Sequence, residues 1–189
     1  MSSLGLSCTA NELIATEITA NYEVLFLDLF ENIDKDHEWN PNIELGKRIT
    51  WLGDQSDIAY HAMSDFWILK GRDMLAARIW RKLGDSIMMA GRSVEYSLAP
   101  LVVNKIRSIT FYPHVPISGS GLKKAETSLA SGRFSMVQNR PDKCLVEYLI
   151  CCDLKGWIPK PLTDAVMGKL LLSDAANLRK RAQQTASTQ

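Results

Sequence analysis

The last third of the sequence places a buried strand directly before a long helix, and this order constrains the fold more than any other feature. Residues 144–153 (CLVEYLICCD) form a nearly continuous apolar run, typical of a strand covered on both faces. Pro159 and Pro161 follow, where a helix begins and a missing N–H costs little. Apolar spacing then predicts a helix over residues 162–182. The chain is therefore expected to end with a helix packed on a sheet.

The predicted closing helix changes character along its length. Its second half is amphipathic, with Met167 and Leu171 on the apolar face and polar side chains opposite. Its first half carries apolar residues on more sides: Leu162, Val166, Leu170 and Leu172. A helix of this kind packs on a sheet, and its apolar half must be covered by protein, by lipid in a cavity, or transiently by a membrane.

The preceding sequence predicts a meander of hairpins with one further helix. β-branched residues predict a strand over residues 12–20, and Asn21 then caps a helix whose apolar stripe runs from Tyr22 to Ile33. Turns at Gly53-Asp54 and Gly84-Asp85 separate two predicted strand pairs, 43–52 with 57–66 and 74–81 with 86–96. A third predicted pair comprises residues 122–127 and 133–138. Two helices and such a meander indicate an α+β fold, an antiparallel sheet with helices packed on one side.

Charge and hydropathy exclude several classes of protein. The net charge of +1 gives no electrostatic reason to expect a nucleic-acid surface. No run of about 18 apolar residues occurs, so no segment is predicted to span a membrane. Residues 1–20 lack the basic flank and apolar run of a signal peptide, and Glu12 and Glu17 argue against a mitochondrial leader. We therefore expect a cytoplasmic protein.

Residue spacing predicts neither a metal site nor a catalytic motif. The four cysteines include no C-x-x-C pair, and the three histidines lie far apart. The G-x-S-x-G, H-E-x-x-H and Walker motifs are absent, and residues 118–121 (SGSG) lack the G-K-[ST] that a phosphate-binding loop needs. We expect no metal, no cofactor and no enzymatic activity.

Several short motifs occur in an order that carries a family resemblance. DLKGWIPK occupies residues 153–160 and NLRKR occupies residues 177–181. Earlier landmarks are EWNPN at residues 38–42, Arg72-Asp73 with Arg78 six positions after Arg72, and GLKKAE at residues 121–126. Together they resemble START domains, the lipid-transfer domains related to the steroidogenic acute regulatory protein, across roughly residues 12–182. The LKGWIP wording is most similar to the steroidogenic, sterol-binding branch.

The resemblance implies a helix-grip fold, in which a curved antiparallel sheet surrounds the long C-terminal helix and encloses a lipid tunnel. START domains usually begin with a helix and two strands ahead of the strand placed at 12–20, so we expect a shortened domain over residues 12–182. Residues 1–11 are then a flexible N-terminus, and residues 183–189 a disordered tail. The Pro- and Gly-rich segment 98–121 is expected beside the tunnel mouth.

The resemblance also suggests residues for the lipid site. Arg78 matches a cavity arginine of the sterol branch that pairs with an acid on the preceding strand, but the matching acid is absent. Asp65 is the nearest substitute, with His61, Glu147 or water as alternatives, unless Arg78 reaches solvent. Met88 and Met89 are expected in the tunnel wall unless they are ordinary core, and Glu147 is either an interior acid or an edge residue. Three helix residues are expected to face the ligand: Leu162, Val166 and Leu170.

The implied function is to bind a single lipid, most simply cholesterol or another sterol, and to transfer it between membranes. A phospholipid or ceramide carrier, or a lipid-sensing module without transfer activity, are the alternatives. An enzyme with an apolar substrate is a further one, because helix-grip relatives include cyclases and hydrolases. The expected partners are the lipid and, transiently, a membrane surface, with no nucleic acid. The expected assembly is a monomer.

Overall fold

The computed structural model describes residues 10–67, 71–96, 106–108, 126–153 and 159–186. Eight strands, three α-helices and a 3₁₀ turn are formed within these ranges. In chain order they are β1 (Ala10–Ile18), α1 (Tyr22–Glu31), the 3₁₀ turn (Ile33–Lys35), α2 (Asp36–Trp39), β2 (Ile43–Gly53), β3 (Ser56–Met63), β4 (Arg72–Leu83), β5 (Ser86–Ser93), β6 (Ile106–Ser108), β7 (Glu126–Val137), β8 (Arg140–Asp153) and α3 (Lys160–Ala186).

Seven of the strands form a curved antiparallel sheet in the order β1-β8-β7-β5-β4-β3-β2, and the short β6 pairs in parallel with β4. The first strand pairs with the last, from Ala10 opposite Cys152 to Ile18 opposite Cys144. β8 therefore lies between β1 and β7. α3 follows β8 and packs along β1 and the inner face of the sheet. The α+β helix-grip architecture expected from the sequence is confirmed.

Several predicted boundaries need correction. The predicted pair 122–127 and 133–138 is wrong, because β7 runs unbroken from Glu126 to Val137 and its hairpin partner is β8. The turn lies instead at Asn139, whose φ of 60° suits an asparagine. β1 includes Ala10 and Asn11, which had been assigned to the flexible N-terminus. α3 continues to Ala186 into the predicted tail, because glutamine and alanine are good helix formers.

The predicted stripe on α1 forms the centre of the core. The Asn21 side chain caps the helix by accepting from the backbone N–H groups of Glu23 (2.9 Å) and Val24 (3.2 Å). Phe26 and Phe30 are fully buried and stack with ring centroids 5.7 Å apart. Burying each ring stabilises the fold by roughly 1.5–3 kcal/mol. α1 is thereby fixed against the inner face of the sheet, beside the C-terminal half of α3.

Gly46 fixes how closely the 3₁₀ turn approaches β2. A Cβ atom at this position would lie 2.0 Å from the backbone oxygen of Ile33. No side chain fits in that space, so glycine allows the two backbones to meet. This contact holds the chain that connects α1 to α2 and β2 against the sheet.

Within the described ranges, no helix combines the length and the apolar character needed to cross a membrane. The loop expected at residues 98–121 lies outside the described residues, except for Ile106–Ser108, which form β6. β6 pairs with Arg72 and Asp73, so it lies beside the first residues of β4.

Candidate functional site

A partly open cavity of about 240 Å³ lies between α1, the sheet and α3. Most of its wall is apolar. The apolar residues of the wall are Ile14, Phe26, Leu29, Phe30, Trp39, Ile43, Met89, Phe134, Val146, Leu171, Ala175 and Leu178. Sites for drug-sized ligands occupy roughly 300–1,000 Å³, so this cavity is smaller than most of them and holds one small apolar molecule without rearrangement. A larger ligand requires wall side chains to move.

Four polar residues interrupt the apolar wall: Thr16, Asn40, Tyr148 and Asp174. They come from β1, the α2–β2 connection, β8 and α3, so the fold brings them together from distant parts of the chain. The hydroxyl oxygen of Thr16 is buried and has no hydrogen-bond partner among the described residues. An apolar cavity with a few convergent polar groups is the usual composition of a small-molecule site.

Asp174 is held by two asparagines that precede β2. Its Oδ1 atom accepts from the side-chain amides of Asn40 (2.9 Å) and Asn42 (2.8 Å). Asn177, one turn further along α3, donates to Oδ1 of Asn40 (3.2 Å). Burial raises the pKa of Asp174, while the two amide donors act to lower it. This network ties α3 to the α2–β2 connection and presents a carboxyl group at the cavity.

Tyr148 lies on β8 beside the same carboxyl group. Burial raises the pKa of its hydroxyl well above the ordinary value, and the nearby charges of Asp174 and Cys152 raise it further. Its hydroxyl therefore stays protonated at neutral pH and is available as a donor. No hydrogen bond joins this hydroxyl to another residue in the part of the chain that the structure describes.

Arg78 has a buried acid partner, but it is not one that the sequence suggested. Asp57 lies directly opposite Arg78 in the β3–β4 pair. The Arg78 Nε and Nη2 atoms donate to the two carboxylate oxygens of Asp57 at 2.9 Å and 2.6 Å. Arg48 Nε adds a bond of 2.9 Å to the same carboxylate. Asp65 instead accepts from the backbone N–H of Gly71 (2.6 Å).

Arg48, Asp57 and Arg78 form the Asp57 cluster, which lies behind the cavity wall. The guanidinium carbon of Arg78 is 4.6 Å from the ring centroid of Phe30, and Phe30 itself lines the cavity. Its Nη2 atom also approaches the backbone oxygen of Phe30 (3.5 Å). Arg78 is not among the residues that line the cavity. Direct contact between Arg78 and a ligand stays a prediction.

Strand alternation separates Met88 and Glu147 from the cavity. Met88 is 41% exposed, whereas its neighbour Met89 lines the cavity. Glu147 faces outward and forms an ion pair of 3.7 Å with Arg133, while Val146 and Tyr148 on either side of it face inward. Successive side chains of a strand point to opposite faces, so Met89 lines the cavity as expected, whereas Met88 and Glu147 face away from it.

The helix residues expected at the ligand are not among the residues that line the cavity. Val166 is fully buried, and Leu170 packs with Met167 and the β8 residues Ile150 and Cys152. Leu162 is half-buried near the start of α3. The helix contributes to the cavity through the next turns: Leu171, Asp174, Ala175 and Leu178. Ligand contact by Leu162, Val166 and Leu170 stays a prediction.

The polar residues of the cavity were missed because each looks ordinary in the sequence. Asn40 and Asn42 belong to the EWNPN motif, and their bonds to Asp174 give that motif a structural role. Asp174 itself follows the apolar face of α3 by three residues from Leu171, a spacing that could have placed it at the cavity. Among the described residues, no three His, Cys, Asp or Glu side chains come together to hold a metal ion.

Comparison with known proteins gives a consistent family match. The sequence profile of the START domain family matches residues 14–188. The chain is 28% identical over 170 residues to steroidogenic acute regulatory-like protein 1 of Caenorhabditis elegans, covering 90% of this chain and 60% of that protein. It is 24% identical over 161 residues to the human mitochondrial steroidogenic acute regulatory protein, covering 84% and 50%. The chain thus spans about half to three fifths of these relatives.

Solved structures share the fold. Human StAR-related lipid transfer protein 5 superposes with a TM-score of 0.73 at 15% identity, covering 93% of this chain and 76% of that one. The Zhui aromatase/cyclase of a Streptomyces species gives a TM-score of 0.58 at 9% identity, covering 94% and 95%. Similarity at these identities establishes the architecture and leaves the chemistry to the residues of the cavity.

Proposed function

This chain belongs to the START domain family, and from that premise we propose that it binds a single sterol in its internal cavity and carries it between membranes. The observation that carries the proposal is the apolar cavity between α1, the sheet and α3, which takes a ligand as large as a sterol if wall side chains move. Removing apolar surface from water is worth about 25 cal/mol per Å², so such a cavity favours an apolar ligand. We place this activity in the cytoplasm, with a monomeric protein and peripheral membrane contact.

The lining favours a sterol over a lipid with a charged headgroup. Asp174 is the one charged residue among the described side chains of the wall, and no lysine or arginine lines it. A phosphate group in this cavity would meet a carboxylate without a compensating cation, which is costly in a buried site. A sterol needs apolar walls and one or two polar partners for its hydroxyl. The relatives named as steroidogenic acute regulatory proteins support this preference.

A transfer assay distinguishes a carrier from a sensor that binds lipid without moving it. Donor liposomes containing a fluorescent sterol are mixed with acceptor liposomes, and energy transfer reports movement. We expect catalytic amounts of protein to accelerate exchange. Stoichiometric sterol binding without acceleration would favour a lipid sensor. Catalysis is outside this proposal, so recovered sterol should keep its original mass, whereas a changed mass would indicate an enzyme.

We infer that membrane contact uses the exposed side of α3 near Leu172. Leu172 is 65% exposed and Trp67 is 60% exposed, and the ammonium group of Lys169 lies 4.1 Å from the ring centroid of Trp67. An exposed leucine beside a tryptophan and a lysine is suited to a membrane interface, where apolar groups insert and cations meet headgroups.

Leu172→Glu is therefore expected to slow transfer between anionic liposomes about tenfold, because a carboxylate replaces an inserting side chain. Sterol affinity in detergent-free solution should stay unchanged. Leu13→Glu on β1 is the matched control, since Leu13 is also highly exposed but lies at the sheet edge. Equal slowing in both variants would show that α3 has no special role in membrane contact.

A further inference from the structure

We propose that Asp174 and Tyr148 form the polar anchor of the cavity and select lipids whose polar group is an uncharged hydroxyl able to donate a hydrogen bond. This inference rests on the proposed function and names the ligand class of the same cavity. Three observations carry it. Oδ2 of Asp174 accepts no hydrogen bond from a described residue, the Tyr148 hydroxyl bonds to no described residue, and Arg78 bonds to Asp57 and does not line the cavity.

Asp174 is fixed in place with one acceptor left over. Both amide donors, from Asn40 and Asn42, bond to its Oδ1 atom. In the described part of the chain no residue donates to Oδ2, although the residue lines the cavity. A carboxylate oxygen that has no donor and belongs to a half-buried residue of the cavity wall favours a ligand that brings one. The asparagines hold the carboxyl group still, so a ligand meets it in a fixed position.

Tyr148 supplies the second group of the anchor. Its hydroxyl both donates and accepts, so it can bond to the oxygen of a ligand hydroxyl whose proton points toward Asp174. Burial, and after it the negative charge of Asp174, raises the pKa of the Tyr148 hydroxyl and so favours its protonated form. Thr16 lines the same cavity, and its hydroxyl, which has no partner among the described residues, can also bond to the ligand hydroxyl.

Arg78 does not compete with this anchor. Two of its nitrogen atoms bond to Asp57, and Phe30 covers its guanidinium on the side of the cavity. A ligand hydroxyl would reach Arg78 only after Phe30 moved. The side chains already exposed to the cavity are therefore the better anchor.

The chemistry of a carboxylate sets the expected selectivity. An ionised Asp174 only accepts, so it bonds to a hydroxyl and has nothing to offer a ketone oxygen. A ketone would leave Oδ2 unpaired in a buried site, and a site built for a hydroxyl rejects such an analogue strongly. An anionic ester such as a sulfate would be repelled by the same charge.

The test compares cholesterol with its matched ketone, cholestenone, by equilibrium binding at pH 8, a pH chosen to favour the ionised carboxyl group of Asp174. The native protein is expected to prefer cholesterol by about tenfold or more. In Asp174→Asn, the side-chain oxygen can still accept from Asn40 and Asn42, while the new NH₂ group can donate to a ketone. The preference should then disappear or reverse.

Two further variants separate recognition from structure. Ser173→Ala removes an acceptor for Asn42 (3.0 Å) in the same network without touching the cavity wall, and it should keep the preference for cholesterol. Tyr148→Phe should weaken both ligands, because the hydroxyl serves either oxygen, and it tests the anchor if Asp174→Asn fails to fold. Equal affinity of the native protein for the two sterols overturns the anchor but leaves the sterol carrier standing. Binding of neither sterol overturns the proposed function itself.

Discussion

Asp57→Asn is expected to lower the free energy of unfolding by roughly 3–5 kcal/mol, the loss typical of breaking a buried ion pair. The Asp57 carboxylate is fully buried and accepts hydrogen bonds from both Arg48 and Arg78. The amide keeps the shape of the side chain, but it removes the charge and turns an NH₂ group toward a guanidinium. Arg78, only 9% exposed, would then be a buried cation without its counter-ion.

Equilibrium unfolding in urea measures this loss. Asp54→Asn is the matched control, because Asp54 lies in the exposed β2–β3 turn and loses the same charge in the same hairpin. The control should change stability by about 0.5 kcal/mol or less. Small domains have a free energy of unfolding of about 5–15 kcal/mol, so Asp57→Asn removes a large part of it. Similar values for the two variants would mean that the cluster does not stabilise the fold.

Ala175→Phe is expected to block lipid binding while leaving the protein folded. Ala175 lines the cavity on α3, between the turns that carry Leu171 and Leu178. A phenyl ring there projects into the apolar space that a ligand would occupy. Displacing roughly 100 Å² of ligand contact at about 25 cal/mol per Å² costs about 2.5 kcal/mol, close to a 100-fold rise in the dissociation constant.

Titration with a fluorescent sterol measures the effect, and circular dichroism checks the fold. Ala176→Phe makes the identical change one residue further along α3, where the side chain is exposed. This control should bind with native affinity and differ little in melting temperature. Native affinity in Ala175→Phe would show that lipid binds elsewhere.

Much of the architecture follows from local sequence pattern. The apolar run of β8 and the prolines before α3 predict a strand followed by a long closing helix, and both elements are present. The stripe on α1 and its Asn21 cap also predict the helix at its observed start. These features depend on spacing along a single element, which is visible in the sequence alone. The third predicted hairpin is wrong because the residues between its two predicted strands, Gly132 among them, lie inside β7, where Gly132 packs near the Phe134 ring.

The site was harder to predict because it depends on which strands pair and in what register. Asp57 meets Arg78 only because β3 and β4 align those two residues. The difference between Met88 and Met89 is a single step of strand alternation, which an error of one residue inverts. The bonds from Asn40 and Asn42 to Asp174 join positions more than a hundred residues apart. No local pattern contains such contacts, so the polar anchor emerges only from the fold.

The central claim, that the cavity holds one sterol, is tested most directly by native mass spectrometry of the purified protein, followed by identification of the lipid released from it. We expect one lipid per chain, and we expect it to be a sterol of unchanged mass. Ala175→Phe prepared in parallel should carry none. A stoichiometric phospholipid or ceramide would contradict the sterol assignment, and the absence of any bound lipid, even after incubation with sterol-containing liposomes, would contradict the carrier itself.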